Sequence, residues 1–200
     1  MRVGLFGGSF DPAHPGHAHV AETARERLGL DRVIWLVSPR NPLKRGRAPA
    51  RLAERMAGAR RMARGPAMVV SDFEARIGSA YTLGTLRILQ ARFPGVRFVW
   101  IMGADSLSGF HRWRGWVEIM QRIPVAVVAR PGDQLKARFS PAAQRFAFAR
   151  RPSRSAPRLA DMAPPAWVFL RAPLNPHSST ALRAKAQPAD SAPVVERAPA

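Results

Sequence analysis

The chain opens Met-Arg-Val-Gly-Leu-Phe-Gly-Gly-Ser-Phe-Asp-Pro-Ala-His-Pro-Gly-His-Ala-His, and no later stretch holds so much potential chemistry. Residues 2–6 read as a short apolar strand, and Gly7, Gly8 and Ser9 as a tight turn. His14, Pro15, Gly16 and His17 then read as the opening of a helix. A strand that ends in glycines and feeds a helix N-terminus is a phosphate-binding geometry. Glycine lets the backbone approach an anion, and the N–H groups of the first helical turn point at it. Imidazoles at i and i+3 add hydrogen-bonding groups to the same spot. The chemistry implied is that of a nucleoside triphosphate. A core histidine at a helix start is the plain alternative for each ring, and the glycines beside them weigh against it. Asp11 is read as holding the loop rather than reacting, and His19 falls outside the pattern. No Gly-Lys-Ser/Thr follows, and there is no run of three spaced glycines, so neither a Walker loop nor a dinucleotide fingerprint is present.

The elements that must position these groups follow from periodicity. His17, Val20, Ala21, Ala24 and Leu28 share one helical face, and Gly29 supplies the stop. Strands are expected at residues 33–37, 68–71, 96–102, 125–129 and 166–170, with the 96–102 strand central because it is the most apolar. Helices are expected at residues 50–63, from Thr82 as N-cap to Arg92, and at 117–121, with a last short helix capped by Ser179. Residues 103–106 form a second strand-to-helix junction. Strands alternating with helices predict an α/β fold, a Rossmann-like doubly wound parallel sheet in a single domain over residues 1–186. Ligands in such sheets bind at the carboxyl ends of the strands, where the notable polar residues of this chain fall. Residues 134–165 read as a mobile connection with a helix near 142–149, and residues 187–200 as a disordered tail.

Composition narrows the partners. There are 32 Lys and Arg against 13 acidic residues, a formal charge of +19, which suits either nucleic acid or a polyanionic small substrate. Apart from residues 145–158 the arginines are scattered, and aromatic residues do not interleave with them, so no nucleic acid is expected as main partner. No apolar run has membrane-spanning length, there is no cysteine, and the first residues lack the shape of a signal peptide. No membrane partner and a cytoplasmic location are the expectation.

Two motifs in order carry a resemblance. Gly7-Gly8-Ser9-Phe10-Asp11-Pro12 with His14-x-Gly16-His17 resembles the first signature of the nucleotidyltransferase superfamily, and Ser178-Ser179-Thr180-Ala181-Leu182-Arg183 resembles its second. Between them, Tyr81-Thr82-Leu83-Gly84-Thr85-Leu86, Gly103-Ala104-Asp105-Ser106-Leu107 and Trp113 resemble blocks of the bacterial nicotinate-nucleotide adenylyltransferase family. The likeness spans residues 1–183. His177 departs from the isoleucine of many relatives, and the chain continues Ala-Lys-Ala-Gln-Pro where the family's C-terminal helix usually runs.

The resemblance implies an adenylyltransferase that joins nicotinate mononucleotide to ATP, with magnesium carried mainly by the substrate phosphates. It implies His14 and His17 as catalytic contacts to phosphate, with Gly7, Gly8, Ser9, Phe10 and Gly16 around them. Ser178, Ser179, Thr180 and Arg183 would grip the β- and γ-phosphates, and Lys44 could reach them or be a solvated loop lysine. Gly103 and Asp105 would lie near the adenosine, with an N-capping aspartate as the alternative for Asp105. Tyr81, Thr82, Thr85 and Trp113 are candidates for the nicotinate mononucleotide pocket; Trp116 could replace Trp113, whereas Trp35, Trp100 and Trp167 lie in strands and read as core. Two alternatives remain: a sister enzyme with nicotinamide mononucleotide or another phosphorylated acceptor, and a basic nucleic-acid-binding protein on the same fold. Oligomeric state is not legible.

Overall fold

A parallel sheet of seven strands organises the computed structural model, in the order β3-β2-β1-β4-β5-β7-β6. The structure describes residues 1–39, 49–79, 81–129 and 134–171. The strands are β1 (Arg2–Gly8), β2 (Arg32–Val37), β3 (Met68–Ser71), β4 (Arg97–Gly103), β5 (Val125–Val128), β6 (Arg150–Arg151) and β7 (Trp167–Leu170). Every recorded pairing is parallel. The helices are α1 (Pro15–Leu28), α2 (Leu52–Met62), α3 (Phe73–Arg76), α4 (Thr82–Arg92), α5 (Ala104–Gly109), α6 (Trp116–Arg122), α7 (Gln134–Arg138) and α8 (Pro141–Arg145).

The strands are apolar on both sides because both faces are covered, as parallel sheets require. In β4, Phe98, Trp100 and Met102 enter one core, whereas Val99 and Ile101 enter the other. β7 repeats the alternation, with Trp167 and Phe169 on the first face and Val168 and Leu170 on the second. The second face is covered by α1, through Val20, Ala21, Ala24 and Leu28, and by α2, through Met56 and Ala59. Leu86, Leu89, Leu107, Ile119 and Met120 cover the first from α4, α5 and α6. The strand expected to be central is β4, fourth of the seven. Among the described residues no helix is long and apolar enough to cross a membrane.

The chain steps outward in opposite directions from the middle of the sheet. From β1 it runs through β2 to β3 on one side; from β4 it runs to β5 and beyond on the other. The carboxyl ends of β1 and β4 therefore flank the switch point, where open α/β sheets leave a crevice for ligands.

Four expectations are corrected. Gly7 and Gly8 belong to β1 and form no turn. Chain reversal falls at Asp11 and Pro12, joined by a cis peptide bond, after Phe10 at φ 47°. Thr82 is the first residue of α4 rather than its cap; Tyr81 holds the cap position, with no side-chain hydrogen bond to the helix. The helix near 142–149 is shorter, α8 giving way to a 3-10 turn over Ala147–Ala149. The stretch read as a mobile connection carries α7, α8, β6 and a 3-10 helix over Ser153–Asp161 that buries Ala156, Leu159 and Ala160. Its Pro157 and near-threefold repeat hide it from a search for a 3.6-residue period. Lys44, the serine-rich motif with its helix and the 187–200 tail lie outside the described residues.

The packing of this segment is testable. Leu159 is fully buried, so Leu159→Ala should cost about 2–5 kcal/mol of unfolding free energy in urea titrations. A loosely attached connection would lose under about 0.5 kcal/mol, the usual range for surface changes.

Candidate active site

The first turn of α1 is closed by its two histidines. His14 occupies the N-cap in extended backbone, φ −147° and ψ 166°. Its Nδ1 accepts from the Gly16 N–H at 3.1 Å, and its own N–H donates to Nδ1 of His17 at 3.2 Å. This is a capping box built from imidazoles, a reciprocal arrangement usually made by serine and glutamate. Pro15 occupies the first turn, where no N–H is needed. Because each Nδ1 is an acceptor, each neutral ring carries its hydrogen on Nε2. The first turn holds no acidic side chain, so the positive end of the helix dipole is not offset within the helix.

The rings are stacked in place. His14 and His17 lie 3.8 Å apart between centroids, and His14 is only 1% exposed. His17 meets Phe10 edge to face at 5.0 Å, and Phe10 in turn packs on Phe6 at 5.4 Å and on Trp35 at 5.1 Å. Phe10, which the resemblance sets around the two histidines, is itself buried and packs under the second of them. Gly16 is buried within the same turn, and Ser9 stands between β1 and that aromatic floor.

The glycines have a reason that local sequence did not reveal. A Cβ on Gly7 would overlap the Trp100 ring, and one on Gly8 would crowd Phe10. Both are extended strand residues whose missing side chains make room for aromatic neighbours. Trp100 then contacts Trp113 edge to face at 6.2 Å. The glycine motif and the candidate acceptor pocket are therefore linked through one core tryptophan.

Arg55, on α2, was not foreseen. It is 4% exposed and its guanidinium donates to four backbone carbonyls. These are Ala50 (2.9 Å), Ser9 (2.8 Å), Ser38 (2.7 Å) and Pro39 (2.9 Å). Ser38 also donates its N–H to the Gly8 carbonyl at 2.9 Å. The loops that follow β1 and β2 are thus tied to one buried cation. Burial lowers the Arg55 pKa, and the nearby Asp11 carboxylate opposes that shift. An exposed-looking arginine in an Arg-rich helix gave no signal; only its spacing within the apolar face of α2, beside Met56 and Ala59, could have marked it.

At the other side of the switch point β4 ends at Gly103, which is the N-cap of α5. Asp105 lies inside the first turn of α5 and is exposed, so it is not the capping residue. The candidate acceptor residues gather where α4 begins. Arg114 lies over the Tyr81 ring at 4.9 Å, and Gly115, at φ 69°, leaves room for Leu83. These contacts bring Tyr81 and Thr82 beside the segment that carries Trp113, which is half-buried against Phe110 at 5.2 Å. Trp116 packs instead on Phe110 and Phe146, and Trp35, Trp100 and Trp167 are buried in the cores as expected.

The Thr85 side chain is fully buried. Its hydroxyl donates to Glu74 at 3.3 Å and lies within reach of the Tyr81 carbonyl at 3.4 Å. Glu74, on α3, is 5% exposed. Burial pushes its carboxyl up to about 7, with the Thr85 hydrogen bond pulling the other way. Glu74 and Thr85 thus fasten α3 to the start of α4 beneath Tyr81. Among the described residues no group of three or more His, Cys, Asp or Glu is placed to hold a metal ion.

The first turn of α1, with its paired histidines, thus stands at the switch point of a doubly wound parallel sheet. Residues 5–185 match the cytidylyltransferase-like family model. A protein of Caulobacter sp. (strain K31), curated as "Probable nicotinate-nucleotide adenylyltransferase", is 68% identical over 185 residues, covering 92% of this chain and 98% of that one. A Cereibacter sphaeroides (strain ATCC 17023) protein of the same name is 57% identical over 184 residues, covering 92% and 97%. In architecture the chain is similar to the Plasmodium falciparum nicotinic acid mononucleotide adenylyltransferase solved with NaAD, at TM-score 0.68 and 13% identity, covering 92% of this chain and 82% of that one. The chain belongs to the cytidylyltransferase-like family, in the branch of the nicotinate-nucleotide adenylyltransferases.

Two outcomes are expected. Arg55→Met strands four carbonyls and should lower unfolding free energy by about 2–4 kcal/mol. Arg55→Lys should recover only part, because an ammonium cannot span the same fork; denaturant titration reads both. The Glu74 carboxyl, raised in the folded state, binds its proton more tightly there than in the unfolded chain. Stability should therefore fall as pH rises from about 4.5 through about 7, by up to ~3 kcal/mol. Glu74→Gln, which stays neutral, should lack this loss; parallel urea titrations at pH 5 and pH 8 compare the two proteins.

Proposed function

We propose that the chain transfers the adenylyl group of ATP to nicotinate mononucleotide, giving deamido-NAD and pyrophosphate. The observation that carries this reading is the reciprocal histidine pair on the first turn of α1, at the switch point of the sheet. Fixed tautomers give two Nε2–H donors that need no proton uptake to hydrogen-bond an anion. The attacking group is the 5′-phosphate of the mononucleotide. Its second pKa is about 6, so it is largely ionised at neutral pH and needs no protein base. One phosphate oxygen bonds to the α-phosphorus as the bridging bond to the β-phosphate breaks, and pyrophosphate leaves with the electron pair.

Catalysis then consists of positioning two anions and stabilising charge on the α-phosphoryl group. In this reading His14 and His17 contact the phosphates, with the backbone of Gly7, Gly8, Ser9 and Gly16 at the mouth of the helix. Arg55 holds the Ser9 and Ser38 loops at fixed separation. Ser178, Ser179, Thr180 and Arg183 grip the β- and γ-phosphates, and Lys44 assists. Asp105 accepts from the ribose hydroxyls beside Gly103. Tyr81, Thr82 and Trp113 offer the pyridinium ring an aromatic face and a polar edge. Thr85 acts from beneath, through Glu74 and the Tyr81 carbonyl. The donor is taken as the magnesium complex of ATP, the ion riding on phosphate oxygens. The reading carries with it a cytoplasmic location, that of the ATP pool.

Pyrophosphate release from purified protein with magnesium and ATP tests it, with nicotinate mononucleotide, nicotinamide mononucleotide and phosphopantetheine offered in turn. Marked preference for the first is expected. Preference for another acceptor overturns the substrate, and no turnover with any overturns the activity. His17→Ala should lower kcat by about 10²–10³, as loss of one transition-state donor does, while the protein stays folded with an unfolding midpoint lowered by the lost cap contact.

A further inference from the structure

Away from the switch point, four arginines converge on one hollow. Arg138 comes from α7, Arg150 and Arg151 form β6, and Arg171 directly follows β7. With Ser153 and Phe169 they line an open groove of about 490 Å³. In the strand order β4-β5-β7-β6 this edge is three strands from β4, roughly 14 Å at the usual spacing.

The charges in this hollow are not balanced from within. Arg150 is held over Trp167 at 5.4 Å and over Phe169 at 5.9 Å. That stacking desolvates it, and the like charges of Arg138 and Arg171 add to the burden, so its pKa is lowered. Among the described residues none of the four makes an ion pair with a carboxylate. Elsewhere the protein does pair such groups: Arg2 and Arg97 share Asp161, and Arg87 and Arg122 share Glu118. Among the described residues no carboxylate pairs with these arginines, and an anion in the groove would relieve their repulsion.

We propose that this groove is a second anion site, separate from the switch point, which binds a compact oligophosphate such as inorganic tripolyphosphate or the triphosphate of a nucleotide. Guanidinium forks match phosphate oxygens bidentately, and several converging forks select a multiply charged ligand over a single phosphate. The volume lies within the range of small-molecule sites. A nucleic-acid surface would instead spread its cations along a track with stacking rings between them. Exposed Phe139 follows Arg138 and exposed Phe148 lies two residues before Arg150, which makes single-stranded RNA the competitor to test. The proposal does not depend on which acceptor the enzyme uses.

Calorimetric titration of the full-length chain with inorganic tripolyphosphate tests it, on wild type, Arg138→Gln/Arg171→Gln and His17→Ala. The two glutamine changes fall on exposed side chains, and an unaltered thermal midpoint verifies that the variant is folded. Wild type should show a class of sites that survives in His17→Ala and is weakened roughly tenfold to a hundredfold in the double glutamine variant. Arg150→Gln alone should weaken the same class. Equal affinity in wild type and the arginine variants overturns the proposal, as does binding that disappears in His17→Ala. Tighter binding of single-stranded RNA than of tripolyphosphate at equal salt, dependent on the same arginines, overturns the compact ligand in favour of nucleic acid. If the histidine assignment fails instead, His17→Ala turns over normally and the arginine comparison still decides the groove.

Discussion

The carboxyl edge of the sheet depends on how the first turn of α1 satisfies its own backbone. A helix start leaves N–H groups without partners inside the helix. Here two imidazoles take up two of them, and each is oriented by the bond it accepts. A serine–glutamate box would cap the helix as well, but it would place a negative charge where an anion must enter. Histidine closes the turn without adding a negative charge to the positive end of the helix dipole. The two side chains that close the turn are thus the same two that the proposed reaction assigns to phosphate.

That turn is held by packing that reaches across the sheet. Phe6, Phe10 and Trp35 form an aromatic floor under His17. Trp100 fills the space that Gly7 leaves and then touches Trp113. Arg55 binds the loops after β1 and β2 from below. Donor and acceptor sides of the candidate site are consequently not independent modules; they share a core layer. A change at Gly7 acts at a distance through an indole ring.

Arginine serves three physical purposes in this basic chain. Arg55 is buried and donates to four backbone carbonyls, a structural cation. Arg87, Arg122, Arg2 and Arg97 sit in exposed pairs with Glu118 and Asp161, which contribute little to stability. The groove at the β6 edge holds arginines of the third sort, crowded against one another. A net charge of +19 by itself does not separate these roles.

The amino-acid sequence determined what depends on near neighbours along the chain. Alternating apolar runs and helical periods set the six longer strands and the main helices, and with them the doubly wound parallel architecture. The glycine run before His14 and His17 marked the start of α1, and the strand-borne tryptophans were legible as core. The tertiary structure decided what depends on residues far apart. Gly7 and Gly8 are small because Trp100 and Phe10 need the space, not because a turn needs left-handed backbone. Thr85 is buried because Glu74 meets it from another helix, and Arg55 is interior because loop carbonyls converge on it. The two-residue β6 was hidden because it is too short to show a period, and the 3-10 helix after it because its near-threefold repeat and Pro157 mask a 3.6-residue one. Periodicity and turn chemistry are local quantities that a sequence displays directly, whereas burial, crowding and shared hydrogen bonds exist only once distant segments meet.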